Sequence, residues 1–280
     1  SEPTDNQLSL IGSPYYTLTK HPSGTSKKET WNKYGTHTLV TEPVIGRASK
    51  FVYPTETVSK TTESGATTGT AEVYSFDTTL GEQTENRNMG FVTVGSGGSY
   101  TDIIGDTRFE FTEYANNSGS TIVLPKRVDV RTSSSSGDTI ARTEYFYDSQ
   151  SLGTIGSYGD VTKESSWVSG NGSTVADTTY TYDSFGNVLT ITNPRGAVTT
   201  YIYDSSKTLV ATETNHLSHV TSYEYMAWKL KKVTDPNGRV VTYGYSNKGW
   251  LYSTTTQNTV GNQVERQYLF NEGDSWYLQR

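Results

Sequence analysis

Between Tyr180 and Tyr252, aromatic and β-branched side chains alternate with polar ones in short runs. A period of two marks a half-buried strand. Val188-Leu189-Thr190-Ile191-Thr192 and Ala197-Val198-Thr199-Thr200-Tyr201-Ile202-Tyr203 have the length and composition of such strands. The residues between runs read as turns. Asp183-Ser184-Phe185-Gly186 sets Asp first and Gly fourth in a type I turn, and Asn193-Pro194-Arg195-Gly196 puts Pro second. Asp235-Pro236-Asn237-Gly238 repeats the second signal. Each unit is therefore expected to be two antiparallel strands joined by short turns.

The units repeat. Tyr180-Thr181-Tyr182-Asp183 recurs as Tyr201-Ile202-Tyr203-Asp204, Tyr223-Glu224-Tyr225-Met226 and Tyr243-Gly244-Tyr245-Ser246, in steps of 21, 22 and 20 residues. Such a period signals tandem supersecondary units. The residues expected to set it are Tyr182, Asp183, Gly186, Pro194, Gly196, Tyr201, Tyr203, Asp204, Tyr223, Tyr225, Pro236, Gly238, Tyr243, Tyr245 and Gly249. The tyrosines of each pair share one face, with Val198, Val220 and Val240 on the other, which predicts a ladder of tyrosines in aromatic contact between neighbouring units. Some turns have drifted: Met226-Ala227 replaces an Asp-x pair, and Asn215-His216-Leu217-Ser218 lacks both Pro and Gly.

The N-terminal half is less regular. Val58 to Thr62, Ala71 to Phe76 and Arg108 to Tyr114 read as strands, while Gly95 to Ser99 and Ser133 to Gly137 read as flexible loops. The expected division is an irregular β region over 1–140 and tandem hairpin repeats over 141–280.

Composition narrows the class. Only 32% of residues are hydrophobic, yet 12% are aromatic and the net charge is −6, unlike a disordered chain. With 46 Thr and 32 Ser, hydroxyl residues make up about 28% of the chain. The fold class is therefore all-β: antiparallel hairpins stacked into an elongated, curved strip that buries surface in thin layers. The absence of Cys excludes disulfides and thiolate metal sites. No apolar run is long enough to span a bilayer, and mild acidity leaves no footprint for nucleic acid.

Candidate chemistry is sparse, and no catalytic, cofactor or metal residue is assigned. His216 and His219 have a spacing that suits a helix face and diverges in a turn. No Gly-x-Ser-x-Gly elbow exists, and Gly95-Ser96-Gly97-Gly98 has neither a phosphate-loop Lys nor dinucleotide-loop spacing. Asp102, Asp106, Glu110 and Glu113 are scattered acids rather than a facing pair. The Asp-Pro-Asn-Gly turns lack the dense acids of a calcium loop. Trp31, Trp167, Trp228, Trp250 and Trp276 serve either packing or sugar stacking. Asn116-Asn117-Ser118 and Asn171-Gly172-Ser173 match the short glycosylation pattern.

Tyr180-Thr181-Tyr182-Asp183-Ser184-Phe185-Gly186-Asn187 followed by Asn193-Pro194-Arg195-Gly196 resembles the RHS, or YD-repeat, family, and Tyr145-Phe146-Tyr147-Asp148 resembles an earlier member. Tyr74-Ser75-Phe76-Asp77 followed by Arg87-Asn88-Met89-Gly90-Phe91 is similar to the region before the repeats in the B component of bacterial insecticidal toxin complexes. The resemblance implies a β-strip that winds into a shell around a toxin or other cargo, in a secreted or cell-surface bacterial protein. Its partners would be the rest of a longer polypeptide or a companion shell subunit. The family's self-cleaving aspartates have no counterpart here. The rival reading is a binding module that presents Tyr and Trp to a cell-surface carbohydrate. Glu265 to Asn271 reads as a further repeat beginning, so the native chain is expected to continue past Arg280.

Overall fold

The computed structural model describes residues 14–22, 24, 26–41, 48–103, 105–116, 122–132, 137–168, 172, 174–257, 263–270 and 275–279. Asn117, Ser118, Asn171, Ser173, the Ser133–Ser136 stretch and the side chain of Trp276 lie outside the described residues. Two compact units emerge, one of 1–159 with 165–176 and one of 160–164 with 177–280. Both are antiparallel β-sheet, the expected fold class. No helix among the described residues is long and apolar enough to cross a membrane.

The first unit contains β1 (Tyr16–Lys20), β2 (Ser26–Thr41), β3 (Ala48–Glu63), β4 (Ala66–Asp77), β5 (Glu82–Val94), β6 (Tyr100–Asp102), β7 (Arg108–Asn116), β8 (Val123–Arg131) and β9 (Thr139–Tyr147). Strands β1 to β5 pair in sequence order. The short β6 and the longer β7 then pair with successive stretches of β5, and β8 and β9 follow. Strand β10 (Val161–Trp167) contributes to both units.

Val58 is opposite Trp31 on one side and Ala71 on the other. Val58, Ala71 and Val92 form a small buried cluster against which Trp31, Met89, Val94 and Tyr100 pack. Gly98, in the stretch expected to be a flexible loop, packs against this core. Residues Ser96–Gly98 form a 3-10 turn, and Gly98, at φ +77°, lies so close to the Trp31 indole that a Cβ would sit 2.6 Å from it. Only glycine fits there.

The second unit is a meander of β11 (Val175–Tyr182), β12 (Val188–Thr192), β13 (Val198–Tyr203), β14 (Val210–Thr214), β15 (Val220–Met226), β16 (Lys229–Thr234), β17 (Val240–Tyr245), β18 (Leu251–Gln257), β19 (Gln263–Phe270) and β20 (Ser275–Gln279). Each pairs antiparallel with the next. Among the described residues its side chains are mostly half-buried, and the buried apolar ones all belong to the first unit. A lone sheet layer behaves this way because each face has nothing but its own neighbours to cover it.

The first unit also buries a charge. Asp129 on β8 is 2% exposed and receives Arg142 Nε at 2.5 Å, Arg142 Nη2 at 2.7 Å and Arg131 Nη2 at 2.9 Å. Arg142 lies over Trp167 and Arg131 over Phe111, so both guanidinium planes are held by aromatic faces. Burial pushes the Asp129 carboxyl up, but hydrogen bonds and charge from Arg142 and Arg131 outweigh it and hold it below its ordinary value. Asp129→Ala would leave two guanidinium groups without their anion and is expected to lower stability by roughly 2–4 kcal/mol in urea unfolding. Because the folded carboxyl ionises more readily than the unfolded one, its contribution is present above about pH 4 and is lost as pH falls further. Wild type is therefore expected to lose more stability than Asp129→Asn on acidification through that window.

Candidate functional site

The second aromatic of each motif sits at a break in the ladder. Register shifts fall between Thr181 and Tyr182, Ile202 and Tyr203, Glu224 and Tyr225, and Gly244 and Tyr245. The paired residues beyond the shifts are Val188, Val210, Leu230 and Leu251. A bulge bends the strand and re-aims its side chain. At Tyr182, Tyr203 and Tyr245 the hydroxyl reaches back to the preceding strand, whereas Tyr225, at the equivalent shift, makes no such bond among the described residues.

The hydroxyl then finds a stranded carbonyl. Strands β12 and β13 pair only from Thr190↔Thr200 to Thr192↔Val198, so the carbonyl of Val188 lies beyond the last pair. Tyr203 Oη donates to it at 3.1 Å. Strands β16 and β17 stop at Lys232↔Thr242, and Tyr245 Oη donates to the carbonyl of Leu230 at 2.9 Å. Tyr182 Oη reaches the carbonyl of Val161 at 2.7 Å. A backbone acceptor left where strands splay costs free energy unless something bonds to it. The phenol does so while its ring covers the gap.

The same clip operates in the first unit. Tyr147 Oη donates to the Pro125 carbonyl at 2.6 Å, just past the β8–β9 ladder that begins at Arg127↔Glu144. Tyr114 Oη donates to the Gln83 carbonyl at 2.7 Å, just past Glu85↔Phe111. Tyr114 follows its own register shift after Glu113, and Phe76 follows one after Ser75. Phe76 thus has the position of a clip tyrosine without the hydroxyl. Burial pushes Tyr147 up to about 12, so its phenol stays a donor at neutral pH. Sequence reasoning missed Tyr114, which lacks the Tyr-x-Tyr-Asp context. The available signal was the clean alternation from Arg108 leading into a tyrosine and an Asn-rich turn.

The turns beside the clips are locked by side chains. Asp183 Oδ1 accepts the amides of Phe185 at 2.9 Å and Asn187 at 3.0 Å. Asn193, Asn215 and Asp235 do the same for the amides two and four residues on. Asp204 serves a loop one residue longer, through Thr208 and Leu209. In the first unit Asp77 accepts Thr79 and Leu80 amides. An Asx side chain substitutes for a backbone acceptor in this way. The carboxyls of Asp183 and Asp204 are held below their ordinary values: at Asp183 hydrogen bonds from Asn187 and Phe185 outweigh desolvation, and at Asp204 the largest cause is the Ser206 hydroxyl.

Gly186, Gly196, Gly238 and Gly249 take the left-handed position that closes these turns. Ser218 (φ +62°) in the drifted Asn215 turn and Lys207 (φ +58°) in the Asp204 loop adopt the same conformation. The Met226–Lys229 connection instead places Ala227 and Trp228 both at positive φ, the backbone of a two-residue hairpin turn. Pro194 and Pro236 are exposed at the second turn position.

The tyrosine ladder differs from expectation. Tyr201 on β13, Tyr223 on β15 and Tyr243 on β17 do share a face, but a strand intervenes between each pair and separates them by about 9.5 Å. Ring contact needs 4.5–7 Å. The spaces are filled by the intervening partners: Tyr180 is opposite Ile191, Tyr201 opposite Glu213 and Tyr223 opposite Val233. Tyr223 Oη donates to Glu213 at 3.4 Å. Desolvation and then the Glu213 charge push both Tyr201 and Tyr223 up. On the other face Val198 and Val220 are exposed and Val240 is half-buried.

Other candidate groups have structural positions. His216 and His219 belong to one exposed turn. Asp106 accepts the Phe91 amide, Asp102 the Thr107 hydroxyl, and Glu113 pairs with Lys126 and Arg127. Among the described residues no group of three or more His, Asp or Glu is arranged to hold a metal ion. Trp31 is in the core and Trp167 lies under Arg142, while Trp228 and Trp250 are exposed.

Comparison with known proteins bears on the same residues. The family model described as RHS Repeat matches residues 159–198, 182–215 and 229–263. No curated protein sequence matches the chain. Among solved structures, TcdB2-TccC3-Cdc42 superposes with a TM-score of 0.55 at 13% identity over 92% of this chain. TcdB2-TccC3-TEV gives 0.54 at 10% identity, also over 92%. The chain spans only 17% and 16% of those two chains, and at such identities the likeness is one of fold.

Removing one clip hydroxyl is expected to cost about 1 kcal/mol. Tyr203→Phe and Tyr245→Phe should each shift the urea midpoint of the second unit downward, with faster amide exchange next to Val188 and Leu230. Ser218→Gly relieves a left-handed serine and is expected to raise stability by up to about 1 kcal/mol in the same assay.

Proposed function

We propose that this chain, which carries RHS repeats over residues 159–215 and 229–263, is a non-catalytic wall segment of an RHS shell that separates a toxin or other cargo from solvent. The observation that carries this reading is the clip, which recurs in both units and at five places fastens a strand to the one before it through a backbone acceptor. A wall needs continuity across many strands more than a deep core, and this chain is built that way. The fold it shares with TcdB2-TccC3 over nearly all its described length supports the reading.

In this reading residues 1–140 form the β region that precedes the repeats and 141–280 the repeats themselves. The partners are the remainder of a longer polypeptide or a companion shell subunit, in a secreted or surface-exposed bacterial protein. The repeat residues Tyr182, Asp183, Tyr203, Asp204 and Tyr245 act mechanically, by holding bulges and turns in register. The exposed aromatics receive no observation that points to a sugar.

Cryo-electron microscopy of the native polypeptide containing this chain tests the proposal. The expected result is a closed wall in which these strands have one face toward an enclosed lumen. A fully assembled particle in which both faces of the strip meet bulk solvent would refute it.

A further inference from the structure

The tyrosine face of the second unit carries a carboxylate that the clips do not use. Glu213 on β14 is directly opposite Tyr201 of β13 on one side and Thr221 of β15 on the other. Tyr223, two residues beyond Thr221 on the same strand, donates its hydroxyl to the Glu213 carboxylate at 3.4 Å. That bond is long and correspondingly weak. Among the described residues the carboxylate has no other hydrogen bond and no ion pair.

Glu224 shows what Glu213 lacks. It is on the opposite face of β15, directly across from Lys232, and pairs with that ammonium at 2.8 Å. Opposite charges facing each other across strands compensate in this way. Where Glu224 has a lysine, Glu213 has two tyrosines, half-buried like itself. Desolvation and the Glu213 charge both push the two phenols up. Both rings are therefore neutral at ordinary pH, and the three side chains together carry one negative charge.

Aromatic faces and a carboxylate share one preference. Each attracts a cation, the rings through their quadrupole and the carboxylate through its charge. A primary ammonium needs acceptors for three N–H groups, which rings do not supply. A quaternary ammonium has no donors to satisfy, and aromatic side chains recognise it through the ring face. We propose that Glu213, flanked by Tyr201 and Tyr223, binds a quaternary ammonium group such as trimethylammonium. Thr221 is too short to cover the carboxylate and leaves it accessible beside the rings. The site belongs to the second unit alone and does not rest on the shell reading.

Choline titrated into the whole chain, followed through the tyrosine ring resonances, tests this. The expected result is saturable binding in about the millimolar range. Glu213→Gln is expected to weaken it about fivefold or more, and Tyr201→Leu or Tyr223→Leu about two- to fivefold each, with circular dichroism confirming that every variant is folded. Glu224→Gln, on the other face, is expected to bind as wild type does. The neutral tert-butyl isostere of choline and n-butylammonium are both expected to bind more weakly than choline. No saturable shift with choline, equal binding of the neutral isostere or of n-butylammonium, or wild-type binding by the Glu213 or tyrosine variants would each overturn the proposal.

Discussion

The constraint on which this structure depends is the carbonyl left over where two strands part. A meander of short strands must end each ladder before its turn, and every early ending strands a backbone acceptor in a half-buried place. The chain meets the problem with a tyrosine one strand further on, turned by a bulge so that its hydroxyl reaches that acceptor. Tyr203 and Val188, Tyr245 and Leu230, and Tyr114 and Gln83 are three instances of this arrangement, and Tyr147 makes the same bond to Pro125. Where bulge, hydroxyl and ladder ending coincide, as at Tyr203 and Tyr245, the bulge re-aims the ring and the hydroxyl satisfies a carbonyl that would otherwise need water.

Much of this was legible in the sequence because turns are local. Asp183, Asn193 and Asp235 announce their turns through the residues that follow them, and the period of the tyrosine pairs gives the hairpin count. The clip was not legible because its acceptor lies 15 to 31 residues earlier and is a carbonyl, which has no residue identity. The tyrosine ladder was misread for a related reason. A repeat contributes two strands, so equivalent tyrosines are two strands apart, and Glu213 and Val233 occupy the space assigned to their rings. Ser218 and Lys207 show that a left-handed turn position survives the loss of glycine when the Asx bond still holds the loop.

The two units solve the burial problem differently. The first has strands of up to 16 residues and closes a small core around Val58, with the Gly98 turn seated on Trp31. It can also bury Asp129, because two arginines stacked on aromatic faces supply its hydrogen bonds. The second has strands as short as five residues and few well-covered side chains. Its order rests on regular turns and on the clips, so stability there is distributed along the strip rather than concentrated in a centre.

The clip has a direction. In every instance the donor tyrosine lies later in the chain than the carbonyl it bonds, from Tyr114 and Gln83 to Tyr245 and Leu230. Each stranded carbonyl is therefore made first and is satisfied only when the strand that carries its tyrosine has been laid down. Such a strip can set one hairpin at a time from its N-terminal end, as a ribosome or a secretion channel delivers it.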